Sequence, residues 1–155
     1  MLEISSICLN PRASFQMALV DIKEGDEVVT DFRVTEEKIS QFAVLVDDFA
    51  PVHFDSEFAR NQGFDDTIAH GLFTASFVSG VLGNYLPGPE SVINELNLKY
   101  HQPVYKGQTI QVLVSVQRVV HAVSAVYLTI TISEKSSSKK VVSGRAICSF
   151  PSKDV

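Results

Sequence analysis

The sequence predicts an α+β fold in which an antiparallel β-sheet wraps around one buried helix. Residues 71–86 form a long apolar run with almost no polar face, which is typical of a helix that lies inside a core. One segment of alternating apolar and polar residues precedes this run and four follow it, as expected for half-buried strands. The length of 155 residues suits a single domain with its own core.

The first half of the chain predicts one strand and one amphipathic helix. Residues 27–34 alternate well enough for the first strand. Thr35 can then cap a helix, which should stop near Asp48 because Pro51 disfavours helical geometry in the residue before it. The predicted apolar face of this helix consists of Ile39, Phe42, Ala43 and Val46.

The second predicted helix is short, and the third is the long apolar run. Asp55 is predicted to cap a short helix over residues 56–62, which Gly63 breaks. Small residues recur every fourth position along the long run, and we expect such a stripe to let another backbone approach closely. The stripe consists of Gly71, Ala75, Ser79 and Gly83.

Four predicted strands complete the domain, over residues 91–102, 109–120, 123–133 and 140–150. Their alternation predicts a half-buried antiparallel sheet. The serine- and lysine-rich residues 136–140 predict a hairpin turn, whereas the turn between the second and third of these strands has neither Gly nor Pro to mark it. The predicted inward residues are Val92, Leu96, Leu98, Tyr100, Ile110, Val112, Val114, Val116, Val126, Leu128, Ile130, Ile132, Val142, Ala146, Cys148 and Phe150.

Composition argues against several functional classes. The net charge of -5 disfavours a dedicated nucleic-acid-binding protein, which needs a basic face. No run reaches the roughly 20 apolar residues that span a bilayer, and the first residues do not resemble a secretory signal, so we predict a cytoplasmic protein. Cys8 and Cys148 are distant in sequence, which predicts two reduced thiols. Residues 1–24 are assigned to an extension of uncertain structure, and residues 25–155 to the domain.

Two short motifs contain the residues with possible chemistry. Residues 48–55 read DFAPVHFD, and residues 68–72 read IAHGL at the start of the apolar run. Asp48 and His53 lie five residues apart with Pro51 between them, which stiffens the segment that holds both. A carboxylate and an imidazole in this arrangement are suited to orient one water molecule and manage its protons.

Both motifs resemble those of the MaoC-like dehydratase family, of the (R)-specific enoyl-CoA hydratase type. In that family an Asp-x-x-Pro-x-His-x-Asp motif is followed by a short helix and by a His-Gly at the start of the central helix of a hotdog fold. Residues 103–110, PVYKGQTI, also resemble the Pro-Val-x-x-Gly-Asp turn of the family. The resemblance extends over about residues 25–150 and implies a single hotdog domain.

This resemblance implies reversible hydration of a trans-2-enoyl-CoA, or of the acyl-carrier-protein thioester, to the (3R)-3-hydroxyacyl product, a reaction of fatty acid metabolism and polyhydroxyalkanoate precursor supply. Asp48 and His53 would activate water, and the Gly71 amide would bind the thioester oxygen. Ser76 matches a serine that helps to orient the site, although it equally fits a small residue packed in the helix. His70 and Asp55 would support the loop. No metal or organic cofactor is implied, and a homodimer is expected.

A departure from the family motif, two rival functions and a possible metal site are the alternatives to this prediction. Hydratases of this family commonly have Asn before the Pro, and this chain has Ala50, which puts the geometry of the loop in question. A hotdog thioesterase, or a hotdog module that binds acyl thioesters without turnover, would use the same helix. His53, Asp55 and His70 also form an HxD…H set that is similar to a two-histidine, one-carboxylate metal site. We reject the metal site, because Pro51 and Gly71 place these residues on loops.

Overall fold

The computed structural model describes residues 18–151, in which a five-stranded antiparallel sheet packs against one long helix. The strands lie in the order β1-β3-β4-β5-β2, and each neighbouring pair is antiparallel. The predicted fold class is therefore confirmed. The elements are β1 (Glu27–Arg33), α1 (Glu36–Val46), α2 (Ser56–Asn61), α3 (Gly71–Asn84), β2 (Val92–Tyr100), β3 (Thr109–Val120), β4 (Ala125–Glu134) and β5 (Lys140–Ser149).

The core lies between the central strands and the inner face of α3. Alternate residues of β3 and β4 point into it, as the sequence pattern predicts, and Val112 and Ile132 are fully buried. Val78 and Val81 of α3 are also fully buried and belong to the same cluster. The core includes Ile22 as well, which precedes the predicted domain boundary and is only 3% exposed. Burial of these apolar side chains is the main stabilising contribution to the fold.

Helices α1 and α2 begin and end close to the residues that the sequence predicts. The Thr35 side chain accepts a hydrogen bond from the Lys38 amide at the start of α1. Asp47 ends that helix in the left-handed region, with a φ of 56°. The Asp55 carboxylate caps α2. One predicted core residue of α1 is placed differently, because Val46 lies in the last turn, next to the exposed loop of residues 47–50, and is 46% exposed.

The sequence predicts that α3 lies within the core because it is apolar on nearly all sides, and its inner face does lie there, but its outer face is exposed in the described chain. Leu72 is 69% exposed, and a Cβ built on Gly83 would meet nothing within 4 Å. In the described chain the predicted small-residue stripe therefore has no second backbone against it at Gly83, and at Gly71 it faces the Tyr100 ring instead. The physical reason is that the sheet covers only one side of the helix.

In the part of the chain that the structure describes, strand β2 forms one edge of the sheet and hydrogen-bonds only to β5. Most of its residues are exposed, including Val92 and Leu96, at 50% and 40%. The predicted alternation is therefore present in β2, but neither of its faces is well covered. Among the described residues, no helix is long and apolar enough to cross a membrane. Residues 1–17 and Cys8 lie outside the described part of the chain.

The turn that the sequence left unmarked, between β3 and β4, is a short 3₁₀ turn over His121–Val123. It ends at Ser124, whose φ of 48° lies in the left-handed region, so that a serine occupies a position that glycine usually fills. The predicted hairpin turn at residues 136–140 is present, and both Ser136 and Ser137 donate backbone hydrogen bonds to the Glu134 carboxylate.

Candidate active site

Asp48, His53 and His70 meet in front of the first turn of α3. One carboxylate oxygen of Asp48 and one ring nitrogen of each histidine all lie within 4.8 Å of one another. The structure therefore brings together the two residues predicted to activate water, from a segment with irregular backbone. His70, which the sequence assigns to loop support, completes the cluster as the residue before α3.

Local hydrogen bonds hold the loop that contains Asp48. The Asp48 amide donates to the Ala43 carbonyl at 3.1 Å, which ties the residue to the end of α1. Its carboxylate oxygen Oδ1 accepts from the Ala50 amide at 3.2 Å, and the side chain remains exposed. Pro51 then starts a 3₁₀ turn that ends at His53. Ala50 occupies the N-cap position of this turn and has no side chain that could cap it.

A backbone carbonyl fixes the tautomer of His53. Its Nδ1 lies 2.7 Å from the Ile68 carbonyl oxygen, and since a carbonyl can only accept, Nδ1 must carry the proton. In the neutral ring, Nε2 is then left with a lone pair. The Ile68 amide in turn donates to the Val52 carbonyl, at 3.2 Å, so the segment before α3 is fastened directly to the turn that holds His53.

His70 lies behind the pair and is only 2% exposed. Its Nε2 donates to the main-chain carbonyl of Asp48 at 3.0 Å, because that oxygen can only accept. Its ring stacks on His53, with centroids 3.7 Å apart and an interplanar angle of 28°. His70 therefore contacts both predicted catalytic residues. Its second nitrogen, Nδ1, is buried without a hydrogen-bond partner among the described residues.

The amino end of α3 supplies hydrogen-bond donors to the same place. The first helical hydrogen bond from this end is donated by Thr74 to the His70 carbonyl. Within residues 18–151, the Gly71 amide therefore has no acceptor, and the positive end of the helix dipole adds to its attraction for a negative oxygen. The Tyr100 ring covers the adjacent Gly71 Cα, since a Cβ at that position would lie 3.3 Å from the ring.

A cavity of about 260 Å³ opens onto this cluster. Apolar side chains form most of its wall, and the polar groups of Asp48, His53 and His70 lie together within it. A concave, mainly apolar site with a few convergent polar groups is the usual form of a small-molecule site. The full lining is Phe42, Val46, Asp48, His53, His70, Gly71, Leu72 and Tyr100.

Two of the predicted site residues lie outside this cavity. The Ser76 hydroxyl donates to the Phe73 carbonyl at 2.7 Å, and Ser76 is exposed on the outer face of α3. Its predicted orienting role stays a prediction. Asp55 caps α2, as predicted, with Oδ1 accepting from the amides of Glu57 and Phe58 at 2.9 and 3.0 Å.

The sequence did not assign Tyr100 to the site, although its alternating pattern placed the residue on the correct face of β2. The signal was the combination of a large aromatic residue at the end of a strand with a glycine at the start of a helix. Nothing in a local pattern joins these two positions, which are far apart in the chain. The contact depends on how β2 lies across α3.

The spacing of the cluster also bears on the metal alternative. Asp48, rather than Asp55, lies beside the two histidines, and the three donor atoms are close enough to surround a cation. The stacked rings of His53 and His70 oppose such a site, because imidazole lone pairs lie in the ring plane. The two ring centroids are 3.7 Å apart and the ring planes differ by 28°. A metal ion therefore cannot lie in both ring planes and within bonding distance of a nitrogen of each ring. The arrangement suits a bound water molecule better than a metal ion.

Comparison with known proteins gives a consistent result. The family model described as MaoC like domain matches residues 20–138. The chain is 34% identical over 133 residues to the (R)-specific enoyl-CoA hydratase of Rhodospirillum rubrum, a match that covers 86% of this chain and 91% of that protein. It is 31% identical over 134 residues to the 3-hydroxybutyryl-CoA dehydratase of Methylorubrum extorquens, covering 86% and 84%. The solved structure of the (R)-hydratase of A. caviae superposes with a TM-score of 0.79 at 30% identity, over 84% of this chain and 98% of that one.

Proposed function

We propose that this chain, which belongs to the MaoC-like domain family, catalyses the reversible hydration of trans-2-enoyl thioesters to (3R)-3-hydroxyacyl thioesters. The observation that carries the proposal is the meeting of Asp48 and His53, within 4.8 Å, in one cavity with the free amide of Gly71. The names of the relatives support the reaction and its stereochemistry.

Asp48 and His53 hold and activate one water molecule in this proposal. With its Nδ1 proton donated to Ile68, a neutral His53 presents Nε2 as an acceptor, and the Asp48 carboxylate presents a second acceptor. A water molecule placed between them donates one hydrogen to each. Its oxygen lone pair is then directed toward C3 of the substrate, which is the carbon that must be attacked.

The Gly71 amide binds the thioester carbonyl oxygen. Attack at C3 moves an electron pair through C2 onto this oxygen, so negative charge develops where the helix amide and dipole are directed. A glycine at this position leaves the helix start accessible to the thioester. A preorganised donor of this kind is typically worth about 10²- to 10³-fold in turnover.

Proton transfer completes the reaction without net change in the protein. One residue of the pair takes a proton from the water as the new C3–O bond forms. The proton is returned to C2 as the electron pair moves back from the carbonyl oxygen, so that H and OH from a single water add across the double bond. No metal ion takes part, because protein groups fill every role.

The direct test is hydration of enoyl-CoAs, followed as the loss of the absorbance of the conjugated thioester. Crotonyl-CoA and longer homologues should be hydrated at the same rate in chelator as in buffer, and the product should be the (3R) enantiomer by chiral analysis. Release of free thiol instead would establish a thioesterase, and binding without either product would establish a non-catalytic module. Loss of turnover in chelator with recovery on adding a divalent metal would refute the water mechanism. Parallel assays with the acyl-carrier-protein thioester would identify the carrier.

A homodimer joined through β2 forms the second part of the proposal. Among residues 18–151 this strand pairs with β5 alone, and both it and α3 have exposed apolar residues, such as Leu96 and Leu72. Pairing of two β2 strands would continue the sheet and cover these residues, which removes an edge prone to aggregation. Light scattering should give the mass of two chains. Leu96→Lys should shift the population toward the monomer, whereas Val20→Lys, a change at an exposed residue distant from β2 in sequence, should not.

A further inference from the structure

A second cavity, of about 310 Å³, lies beside the catalytic one. Of the described residues that line them, the two cavities share Gly71 and Tyr100. Since Gly71 borders both spaces, a ligand held at its amide can extend from the first cavity toward the second. The remainder of the second lining comes from the segment before α3, from α3 itself, from the loop after β2 and from β5.

The wall of this second cavity suits an apolar ligand. Within residues 18–151 its lining contains no Lys or Arg that could bind phosphate, and Phe64, Ile68 and Val104 are among its apolar members. Two of its polar groups are already engaged, because the Thr74 hydroxyl donates to the His70 carbonyl and His101 Nε2 pairs with the Ser143 hydroxyl. Gln102 and Tyr100 are the other polar side chains of the lining, and the rest of the wall is apolar. A hydrocarbon chain needs no hydrogen-bonding group.

Tyr100 is the side chain that stands between the two spaces. It lies at the end of β2, opposite Val142 of β5, and its ring contacts the start of α3 at Gly71. The residue lines both cavities and is 45% exposed, so its ring is not locked in the core. Partial burial raises the pKa of its phenol from the ordinary value of 10.0.

We propose that the second cavity receives the distal part of the acyl chain and that Tyr100 determines how long a chain can enter it. This inference rests on the proposed hydratase function. The ring limits the parent protein to short chains, which end within the catalytic cavity. Removal of the ring joins the cavities, and each further methylene buried there increases kcat/KM by about fourfold.

The test measures kcat/KM for a series of trans-2-enoyl-CoAs from C4 to C12. Tyr100→Ala should raise the C10-to-C4 ratio more than 10-fold, the effect of about two further buried methylenes. Tyr100→Phe keeps the ring and should keep the ratio of the parent. Tyr127→Ala is the matched control. Tyr127 lies in β4, packs against Arg118 of β3 and lines neither cavity.

A double variant connects the effect to the second cavity. Phe64→Trp enlarges a side chain of that cavity which the catalytic cavity does not share. Added to Tyr100→Ala, it should return the ratio toward the parental value. Two outcomes would overturn the inference, provided that the circular dichroism of the variants matches the parent. One is an equal loss of activity at all chain lengths in Tyr100→Ala, and the other is a C10-to-C4 ratio that Phe64→Trp does not reverse.

Binding of saturated acyl-CoAs, measured by calorimetry, separates this inference from the proposed function. If the parent hydrates no enoyl-CoA, the proposed function fails. The affinity series of the same variants then decides the inference alone, with the same expected shift toward longer chains in Tyr100→Ala. An affinity series that is identical in parent and variant would contradict it.

Discussion

Replacement of His70 by Phe tests whether His70 positions the catalytic pair, Asp48 and His53, independently of its contribution to the stability of the fold. Phenylalanine has a similar planar ring, so the stack on His53, now 3.7 Å between centroids, can persist. The hydrogen bond from Nε2 to the Asp48 carbonyl, 3.0 Å long, is lost. The change therefore removes the hydrogen bond that holds the Asp48 backbone, while His53 keeps an aromatic ring stacked against it.

The two contributions to stability nearly cancel. Loss of a neutral hydrogen bond costs about 0.5–1.5 kcal/mol, whereas the buried Nδ1 of His70, which has no partner in the described chain, carries a desolvation penalty of about 1–3 kcal/mol that Phe removes. We therefore expect the free energy of unfolding to stay within about 1 kcal/mol of the parent or to rise. Turnover should fall about 10- to 100-fold, because small displacements of a catalytic group are costly.

Urea denaturation and hydration of crotonyl-CoA measure the two quantities on the same preparation. His70→Gln is the matched control, because it keeps an N–H near the position of Nε2 but loses the ring. It should retain more turnover than His70→Phe and be less stable. Full activity in His70→Phe would refute the positioning role of the hydrogen bond, and a stability loss of several kcal/mol would show that the imidazole is needed for packing.

Three further predictions concern the helix start, the loop and the hairpin. Gly71→Val should abolish most turnover, since its Cβ would lie 3.3 Å from the Tyr100 ring and the branched chain would crowd the thioester; a folded, fully active variant would exclude the oxyanion site. Ala50→Asn should preserve or raise turnover, because Asn can cap the 3₁₀ turn before His53; a large loss would mean a different loop geometry. Hydrogen bonds from Ser137 and Ser136 lower the pKa of Glu134 from 4.5 to about 2, so the carboxylate stabilises the fold above pH 4.5 and loses this effect as the pH falls toward 2. Glu134→Gln should accordingly be less stable than the parent at pH 7, with a difference that shrinks across that range in thermal unfolding; a difference independent of pH would contradict the assignment.

Local patterns were sufficient to predict the elements of this fold. The alternation of Ile110, Val112 and Val114 identified β3 with its observed bounds, because one face of an interior strand is always buried. Capping by Thr35 and Asp55 placed two helix starts correctly, since side-chain capping depends only on neighbouring residues. These signals are short in range, and so they can be read along the chain.

The burial of α3 and β2 could not be read in the same way. An apolar run predicts that a surface avoids water, but it does not say whether the same chain or a second chain covers it. Leu72 and Leu96 are exposed in the single chain for this reason. The outer faces of both elements are the surfaces that we propose to meet in a dimer.

The sequence predicted which residues form the site, but it did not predict how these residues contact one another. The motif identified Asp48 and His53, whereas the tautomer of His53 depends on the Ile68 carbonyl, and the stack with His70 depends on the fold. The position of Tyr100 at the start of α3 follows from the path of β2. Each of these contacts joins segments that are separated in sequence, and no periodicity encodes them.

The central claim is that Asp48 and His53 act on one water molecule, and a double-mutant cycle on turnover tests it most directly. Asp48→Asn and His53→Ala should each reduce turnover by about 10²- to 10⁴-fold, the usual contribution of general acid–base catalysis, with smaller changes in substrate binding. Because neither residue can orient the water and manage its protons alone, the double variant should be little worse than the worse single variant. Circular dichroism and mass in solution should match the parent in all three proteins. Losses that simply multiply, or a single variant with nearly full activity, would contradict the mechanism.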